Sequence, residues 1–416
     1  MLEVGPYGAH FWRGVEWSPG RHWLRFPLKL FLGPSEQLAL LVAEKEKSMT
    51  LSLARDEDSL KRLGIAFLFV LLCATKGHGD SVNTTERTVT KLAEGVYEIR
   101  HKDAPDGNLN GNTTVIIGDR EVFVVDSCFQ ISVASEDIAQ IRQWTSKPVR
   151  YLLNTHWHND HNMGNGVYMA AFPAIAIIAH TDTKNDMYRT PATPPRFVQQ
   201  IATRERRLER AKGDDGKPLT EDQVAEITKS LAGKRQVLEE LRNFVYQPPT
   251  LTFDRELDID IGNRGIQVMH LGRGTTAGDT IVYLPKEKIL VAGDLVTHPV
   301  LFTYDGYPSE WIQTLEKIEQ LNVETLVPGH GDVLRDTTYI YLTRDLLKSA
   351  VEQVNATLHQ LTSTIEYPSL EQVRKGVDLS LFRQKFAGDD KDTIEAFDDA
   401  AAALVRVAYN EAQNNR

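Results

Sequence analysis

His156-Trp157-His158-Asn159-Asp160-His161 directly follows a largely apolar run at residues 149–154. On an extended segment, residues two apart point to the same side, so His156 and His158 can reach one metal ion. Asp160 and His161, beyond the bend, can serve a second ion close to the first. A solvated loop has no reason to collect three imidazoles and a carboxylate within six residues. The stretch therefore predicts a metal site.

Residues 155–161, which read Thr-His-Trp-His-Asn-Asp-His, resemble the signature of the metallo-β-lactamase superfamily. Four further segments resemble other motifs of that family and occur in the family's order. They are Val-Phe-Val-Val-Asp at residues 122–126, Gly-Asp at 278–279, Ile-Leu-Val-Ala-Gly-Asp at 289–294 and Val-Pro-Gly-His-Gly at 327–331. The resemblance covers about residues 90–335 and implies the family's fold, an α/β protein built as an αββα sandwich.

The resemblance also implies a ligand set. In the family an aspartate bridges two metal ions, and Asp294 stands at its position here, while His330 stands at the position of the last histidine. The implied ligands are His156, His158, Asp160, His161, Asp294 and His330. Asp160 and Asp294 are the implied catalytic carboxylates, and Asp160 has a second implied role in orienting the nucleophile or moving a proton. Asp126 and Asp279 are implied to fix imidazole tautomers or loop geometry.

The third motif departs from the family pattern. The family usually reads Gly-x-x-His-Thr-x-Gly-Asp, whereas residues 272–279 read Gly-Arg-Gly-Thr-Thr-Ala-Gly-Asp, so Thr275 stands where the histidine is expected. A threonine hydroxyl is a poor zinc ligand beside an imidazole. The site of His156 and His158 therefore keeps Asp294 and a water, and we expect it to bind metal more weakly than the second site. One or two zinc ions are expected per chain.

Several other residues have two interpretations. His298 lies four residues after Asp294, and it either lines the pocket or is a hydrogen-bonded rim histidine. His270 and His180 are interpreted as structural histidines rather than ligands. Arg273 either binds a substrate carboxylate or phosphate through its planar guanidinium, or forms a surface ion pair.

Zinc is the expected metal, because the ligands are imidazoles and carboxylates without a thiolate and acyl transfer needs no redox chemistry. The resemblance implies a β-lactamase-like hydrolase in which metal-bound hydroxide attacks a small ester, lactone or lactam. Two alternatives remain. A metal-binding protein of the same fold without turnover is favoured by Thr275. The other is an iron or di-iron redox enzyme. The resemblance implies that a di-iron member would usually carry a glutamate where this chain has His158, and that a mononuclear iron member would use the third-motif histidine that Thr275 replaces.

Composition narrows the class of partner. The 416-residue chain has 41% hydrophobic and 25% charged residues, which is ordinary for a soluble globular protein. Its formal net charge of −10 comes with no basic patch and argues against a nucleic-acid partner. The expected partner is a small-molecule substrate, and an oligomer remains open.

The N-terminal region predicts export. Residues 63–74 are apolar and follow Lys61 and Arg62, which is typical of a secretory signal peptide and short for a membrane span. Residues 49–79 are interpreted as the signal region, with an uncleaved anchor as the alternative. We expect a secreted or periplasmic protein without stable membrane insertion after cleavage. Residues 1–48 show no sustained periodicity, and with Met49 as a conventional start they are interpreted as an over-extended reading frame.

Periodicity predicts the organisation of the remainder. The metal-binding domain is expected at residues 85–335, with strands at 95–100, 113–117, 121–126, 149–154, 265–271, 280–284, 288–292 and 324–327. Helices are expected at 135–145, with Ser135 as the N-cap, and at 309–321. A helical insertion at 190–248 contains a capping-box pattern at 220–223 and either covers the metal mouth or mediates a dimer. A C-terminal helical extension is expected at 336–416.

Overall fold

The computed structural model describes residues 87–190, 194–213, 216–363 and 368–414. The over-extended reading frame predicted at residues 1–48 and the signal region predicted at 49–79 lie outside these ranges. The chain within them forms two β-sheets flanked by helices.

The first sheet has seven strands in sequential order from β1 to β7. They are β1 Arg87–Ala93, β2 Val96–His101, β3 Thr113–Ile117, β4 Val122–Val125, β5 Val149–Leu153, β6 Ala176–His180 and β7 Leu251–Phe253. The second sheet has five strands in the order β12-β11-β10-β9-β8. They are β8 Glu256–Asp260, β9 Gly265–Met269, β10 Ile281–Leu284, β11 Ile289–Gly293 and β12 Thr325–Pro328.

The helices connect and cover the sheets. They are α1 Ile131–Trp144, α2 Asn165–Ala171, α3 Thr181–Arg189, α4 Pro194–Arg210, α5 Glu221–Glu240, α6 Pro308–Ile318, α7 Thr338–Thr362, α8 Leu370–Arg374, α9 Ser380–Ala387 and α10 Lys391–Asn414. Short 3₁₀ turns occur at Asn159–His161 and Leu241–Asn243. In the described part of the chain, no helix combines the length and the apolar character that crossing a membrane requires.

Alternating side chains build a four-layer sandwich. Phe123 and Val125 of β4 pack between the sheets against Val291 and Val327 of the second sheet. Their neighbours along β4 point the other way, into a cluster with α1. The outer face of the second sheet packs against α6, α7 and α10, with Trp311 buried among them. The predicted αββα architecture, with a helical insertion and C-terminal helices, is confirmed.

The direction of the strands places the candidate metal ligands at one edge of the sandwich. β4 and β5 are parallel neighbours in the first sheet, and β11 and β12 are parallel neighbours in the second. Their carboxyl ends are followed by Asp126, by the histidine-rich stretch, by Asp294 and by His330. Because the carboxyl ends of parallel strands lie at the same edge, segments distant in sequence meet there.

The predicted start of the first helix is wrong. α1 begins at Ile131, with Gln130 in extended conformation as its N-cap, and Ser135 lies inside the helix, where its hydroxyl donates to the carbonyl of Ile131 at 2.9 Å. Val133 and Ala134 are buried against the sheet, so apolar packing extends the helix N-terminally past the serine. β1, β6, β7, β8, α2 and α3 were not predicted, because their short or polar segments carry little periodicity.

The insertion contains the two expected helices. α5 begins with the predicted capping box, in which Thr220 and Gln223 bond reciprocally. Phe197 of α4 lies 6.0 Å from Phe129 between ring centroids, in a cluster that also includes Met163 beside the metal loop. Apolar packing therefore holds the insertion against the edge that carries the histidines.

Candidate metal centre

The six predicted ligands lie together in two groups. His156, His158 and Asp294 form one group, and Asp160, His161 and His330 form the other. Within each group the ligand atoms lie within 4.8 Å of one another. His156 Nε2 is 2.9 Å from His158 Nδ1, and His161 Nε2 is 3.1 Å from His330 Nε2. These separations suit donors that converge on one ion in each group.

Asp294 lies between the two groups. Its Oδ2 is 3.5 Å from His156 Nε2, whereas its Oδ1 is 3.3 Å from His161 Nε2 and 3.6 Å from His330 Nε2. Asp294 is 3% exposed, and Oδ1 is buried without a hydrogen-bond partner. A buried carboxylate oxygen without a donor is costly unless a cation satisfies it. The donor set therefore fits two divalent ions that share Asp294.

Asp126 orients imidazoles in both groups. Its Oδ2 lies 2.8 Å from His161 Nδ1 and accepts the Thr155 hydroxyl at 2.8 Å. Thr155 Oγ1 in turn lies 3.0 Å from His156 Nδ1. Because the carboxylate only accepts, the threonine proton points to Asp126 and the oxygen receives the proton of His156 Nδ1. Both imidazoles thus direct Nε2 lone pairs into the metal site.

Thr155 was not singled out by the sequence analysis, and its role yields a prediction. Thr155→Val keeps the shape of the buried side chain but leaves His156 Nδ1 without its acceptor. We expect zinc affinity to fall by about 10- to 100-fold. Competition with a chromophoric chelator measures the affinity, and Thr155→Ser, which keeps the hydroxyl, is the matched control. Equal affinity in the valine and serine variants would contradict the relay.

Charge complementarity holds the metal-free cluster together. Burial lowers the pKa of His158 to about 3, with a further contribution from His156. Burial also acts to lower the pKa values of His161 and His330, but the carboxylates of Asp294 and Asp160 outweigh it and raise both. Both histidines therefore favour the protonated form when no metal is bound.

A pH dependence follows for metal uptake. Zinc needs the Nε2 lone pairs of His161 and His330. The raised pKa values of these two imidazoles keep them protonated to higher pH. We expect zinc binding near neutral pH to release protons, and the apparent affinity to rise as the pH rises above the ordinary pKa of histidine. Isothermal titration in two buffers of different ionisation enthalpy measures the released protons. Zinc uptake without proton release would refute this expectation.

Thr275 belongs to the hydrogen-bonding of its own loop. Its hydroxyl donates to Asp279 Oδ1 at 2.9 Å. The buried Asp279 carboxylate also accepts the backbone amides of Gly274 and Thr276 and the Thr276 hydroxyl. Burial raises the pKa of Asp279. Asp279 therefore fixes the geometry of this loop, and Thr275 lies in neither donor group.

Arg273 forms the surface ion pair. Its guanidinium bonds to the Glu310 carboxylate, with Nε 2.8 Å from Oε2, and lies 3.9 Å from the centre of the Tyr307 ring. Arg273 is not among the residues that line the metal cavity. The alternative interpretation, in which the guanidinium binds a substrate carboxylate or phosphate in the metal cavity, is not supported.

Three other histidines, His180, His270 and His298, make local contacts in the structure. His298 does line the cavity, and its backbone amide donates to the His330 carbonyl at 3.1 Å. His180 and His270 stack at 4.0 Å between ring centroids, and His270 Nδ1 donates to the Asp279 carbonyl at 2.8 Å. These two histidines support the loop of the third motif rather than a metal.

A third group of potential ligands has a structural explanation. His101, Cys128 and Asp137 lie together and are all buried. His101 Nε2 is 2.9 Å from Asp137, which also pairs with Arg87. Burial raises the pKa of the Cys128 thiol well above its usual value. Cys128 is thus a small buried side chain rather than a nucleophile.

Four of the six donors, His158, Asp160, Asp294 and His330, line a cavity of about 990 Å³. The other lining residues include Leu109 before β3, Trp157 of the metal loop, Phe197 of the insertion and Phe302 after β11. α10 also lines the cavity, with Asp399 among its residues. The insertion therefore borders the metal mouth, and the contribution of the C-terminal helix was not predicted.

This geometry agrees with a comparison of sequences. The sequence model of the family described as "Metallo-beta-lactamase superfamily" matches residues 106–330, more than half of the chain. The chain belongs to the metallo-β-lactamase superfamily. All six residues of the two donor groups fall within the matched segment.

Individual members of the superfamily share only part of their sequence with this chain. A metallo-β-lactamase type 2 from Elizabethkingia meningoseptica is 32% identical over 111 residues, which is 25% of this chain and 44% of that protein. A linear primary-alkylsulfatase from Pseudomonas sp. (strain ATCC 19151) is 23% identical over 218 residues, covering 50% of this chain and 39% of that protein. The chain thus spans less than half of the length of these curated relatives. A solved metallo-β-lactamase from Pontibacter korlensis aligns with a TM-score of 0.45 at 20% identity, covering 63% of this chain and 99% of that one.

Proposed function

We propose that the protein is a zinc-dependent hydrolase of small esters, lactones or lactams. The observation that carries this proposal is Asp294, a buried carboxylate that lies between two converging groups of imidazole and carboxylate donors on a cavity wall. Histidine and aspartate donors without a thiolate favour zinc. The relatives that share part of the sequence include a metallo-β-lactamase and an alkylsulfatase, which supports hydrolysis as the reaction class.

Bound zinc supplies a coordinated water of lowered pKa and a Lewis acid for the substrate carbonyl. His156, His158 and His161 would hold the ions from the β5 side, and His330 and Asp294 would hold them from the second sheet. Asp160 is the more exposed of the two ligand carboxylates, 24% against 3% for Asp294. Asp160 Oδ2 also lies 3.0 Å from His330 Nε2. Asp160 is therefore the group placed to orient water on the cavity side.

Apolar side chains bind the body of the substrate in this proposal. Phe129 and Phe197 line the cavity on the insertion side, and Phe302 lines it beside the His158 ring at 5.2 Å between centroids. Such walls bury apolar surface and exclude water around the reacting bond. We further propose that the protein acts outside the cytoplasm, on the basis of the signal-like sequence at residues 61–74.

A substrate panel tests the proposal. The protein, with its zinc content measured by plasma mass spectrometry, is assayed on aryl esters, lactones and the lactam nitrocefin, with and without a chelator. We expect turnover of at least one class, its loss on chelation and its recovery with added zinc. Two bound zinc ions without turnover on any class would refute hydrolysis and favour metal binding alone. Iron in the purified protein together with oxygen consumption would favour the redox alternative.

A further inference from the structure

Four aspartates outside the two donor groups line the metal cavity and add negative charge to its walls. Asp103, Asp305, Asp392 and Asp399 all line the cavity and are all exposed. They come from three separate places: the loop after β2, the loop after β11, and α10. Their convergence is therefore produced by the fold and not by a run of acidic sequence.

Outside the donor groups, positive charge is scarce along the same walls. Among the described residues that line the cavity, Arg100 is the single lysine or arginine. Its guanidinium is paired with the carboxylate of Asp332. A substrate carboxylate or sulfate entering the cavity would thus meet four aspartates and no unpaired guanidinium or ammonium group.

Aromatic side chains line the same cavity. Trp157 and Phe302 are half-buried and Tyr304 is 44% exposed, and the Phe302 and Tyr304 rings lie 5.2 Å apart between centroids. Aromatic faces beside carboxylates favour cationic groups such as alkylammonium ions. The buried carboxylate of Asp294, whose Oδ1 has no hydrogen-bond partner, also lines this cavity.

We propose that the cavity selects substrates that combine an apolar body with a positively charged group, such as an ester, lactone or lactam bearing an ammonium group, over substrates that carry a carboxylate or sulfate. The scissile bond would lie at the donor groups, and the ammonium group would lie at the outer aspartates and aromatic rings. The reason is Coulombic, because the low-dielectric walls of a cleft focus the field of the carboxylates on the entering group. This inference rests on the proposed hydrolytic function.

The test begins with binding, so that it does not depend on turnover. Two probes share an apolar body and differ in charge: 4-phenylbutyltrimethylammonium and 4-phenylbutanesulfonate. Their dissociation constants are measured by titration calorimetry at low salt on the full chain, both treated with EDTA and loaded with zinc. We expect the EDTA-treated protein to bind the ammonium probe about tenfold more tightly than the sulfonate. The preference should shrink as salt is added.

Matched variants locate the effect. Asp392→Asn/Asp399→Asn removes two of the outer carboxylates from the exposed face of α10. We expect it to weaken binding of the ammonium probe by about three- to tenfold. Glu226→Gln/Asp258→Asn changes the net charge equally at exposed residues outside the cavity and is expected to leave both dissociation constants unchanged. Equal or tighter binding of the sulfonate to the EDTA-treated protein, no binding of either probe, or an unaltered preference in the cavity variant would overturn the inference.

Hydrolysis of paired ammonium and carboxylate esters separates this inference from the proposed function. Selective binding of the ammonium probe without hydrolysis of any ester would refute the hydrolase and leave the charge selection standing. Hydrolysis of both esters at equal kcat/KM would support the hydrolase and refute the charge selection. A kcat/KM at least about tenfold higher for the ammonium ester supports both.

Discussion

Asp294→Asn is expected to empty both metal sites and to lower hydrolysis by about 1,000-fold or more. The carboxylate of Asp294 faces both donor groups, with Oδ2 near His156 and Oδ1 near His161 and His330. Asparagine keeps the size of the side chain but removes the negative charge. It also replaces one carboxylate oxygen with an amide nitrogen that donates hydrogen bonds and cannot act as a ligand.

Zinc per chain, measured by plasma mass spectrometry after gel filtration, is the direct readout, and kcat/KM on the best substrate is the second. Circular dichroism monitors folding, because the loss of a buried carboxylate from a charged cluster also destabilises the protein. Asp258→Asn, at an exposed position of β8, is the control for the chemical change itself. A folded Asp294→Asn protein that keeps two zinc ions would rule out the shared-ligand arrangement.

The second large effect is expected from a single methyl group. Gly329 precedes His330 and lies against the Asp294 backbone and side chain, so a Cβ at residue 329 would sit 2.0 Å from Asp294 Oδ1 and 2.8 Å from the Gly293 carbonyl carbon. The backbone amide of Gly329 also donates to the Gly293 carbonyl at 2.9 Å, which leaves the loop little room to move. We therefore expect Gly329→Ala to displace Asp294 and to lower zinc affinity and kcat/KM by about 100-fold.

Gly265→Ala is the matched control, because a Cβ at residue 265 would meet no atom within 4 Å. Chelator competition gives the zinc affinity of each variant, and thermal unfolding gives the stability. Overpacking at residue 329 is expected to cost about 1–3 kcal/mol of unfolding free energy. Wild-type zinc affinity in a folded Gly329→Ala protein would show that the close approach of these two loops does not position Asp294.

Local sequence accounts for the parts of the candidate site that lie close together in the chain. His156, His158, Asp160 and His161 could be proposed from their spacing alone, because one strand end and one turn bring them together. The continuous apolar runs of β4 and β11 likewise predicted buried strands, because a short apolar run bounded by turn residues is a local feature of the sequence. The start of α1 was misplaced, because Ser135 suits a cap while packing against the sheet decides where that helix begins.

Asp294 and His330 required more than local pattern, and their assignment rested on resemblance to a family. They reach the histidines because two sheets, formed by different halves of the chain, pack face to face with the carboxyl ends of their parallel strands at one edge. Thr155 could have been found as the polar neighbour of a ligand, but its bond to Asp126 joins residues 29 apart and is visible in the fold alone.

The sequence by itself determined the type of chemistry, because ligand identity is a property of residue types. It also predicted eight of the twelve described strands, because their apolar patterns are local. The tertiary structure alone decided that Arg273 pairs with Glu310 and that the outer cavity is acidic. Asp399 faces the metal cavity although it lies 69 residues beyond His330 along the chain. The charge of a cavity depends on which distant side chains packing brings to its walls, and no local pattern in the sequence encodes that arrangement.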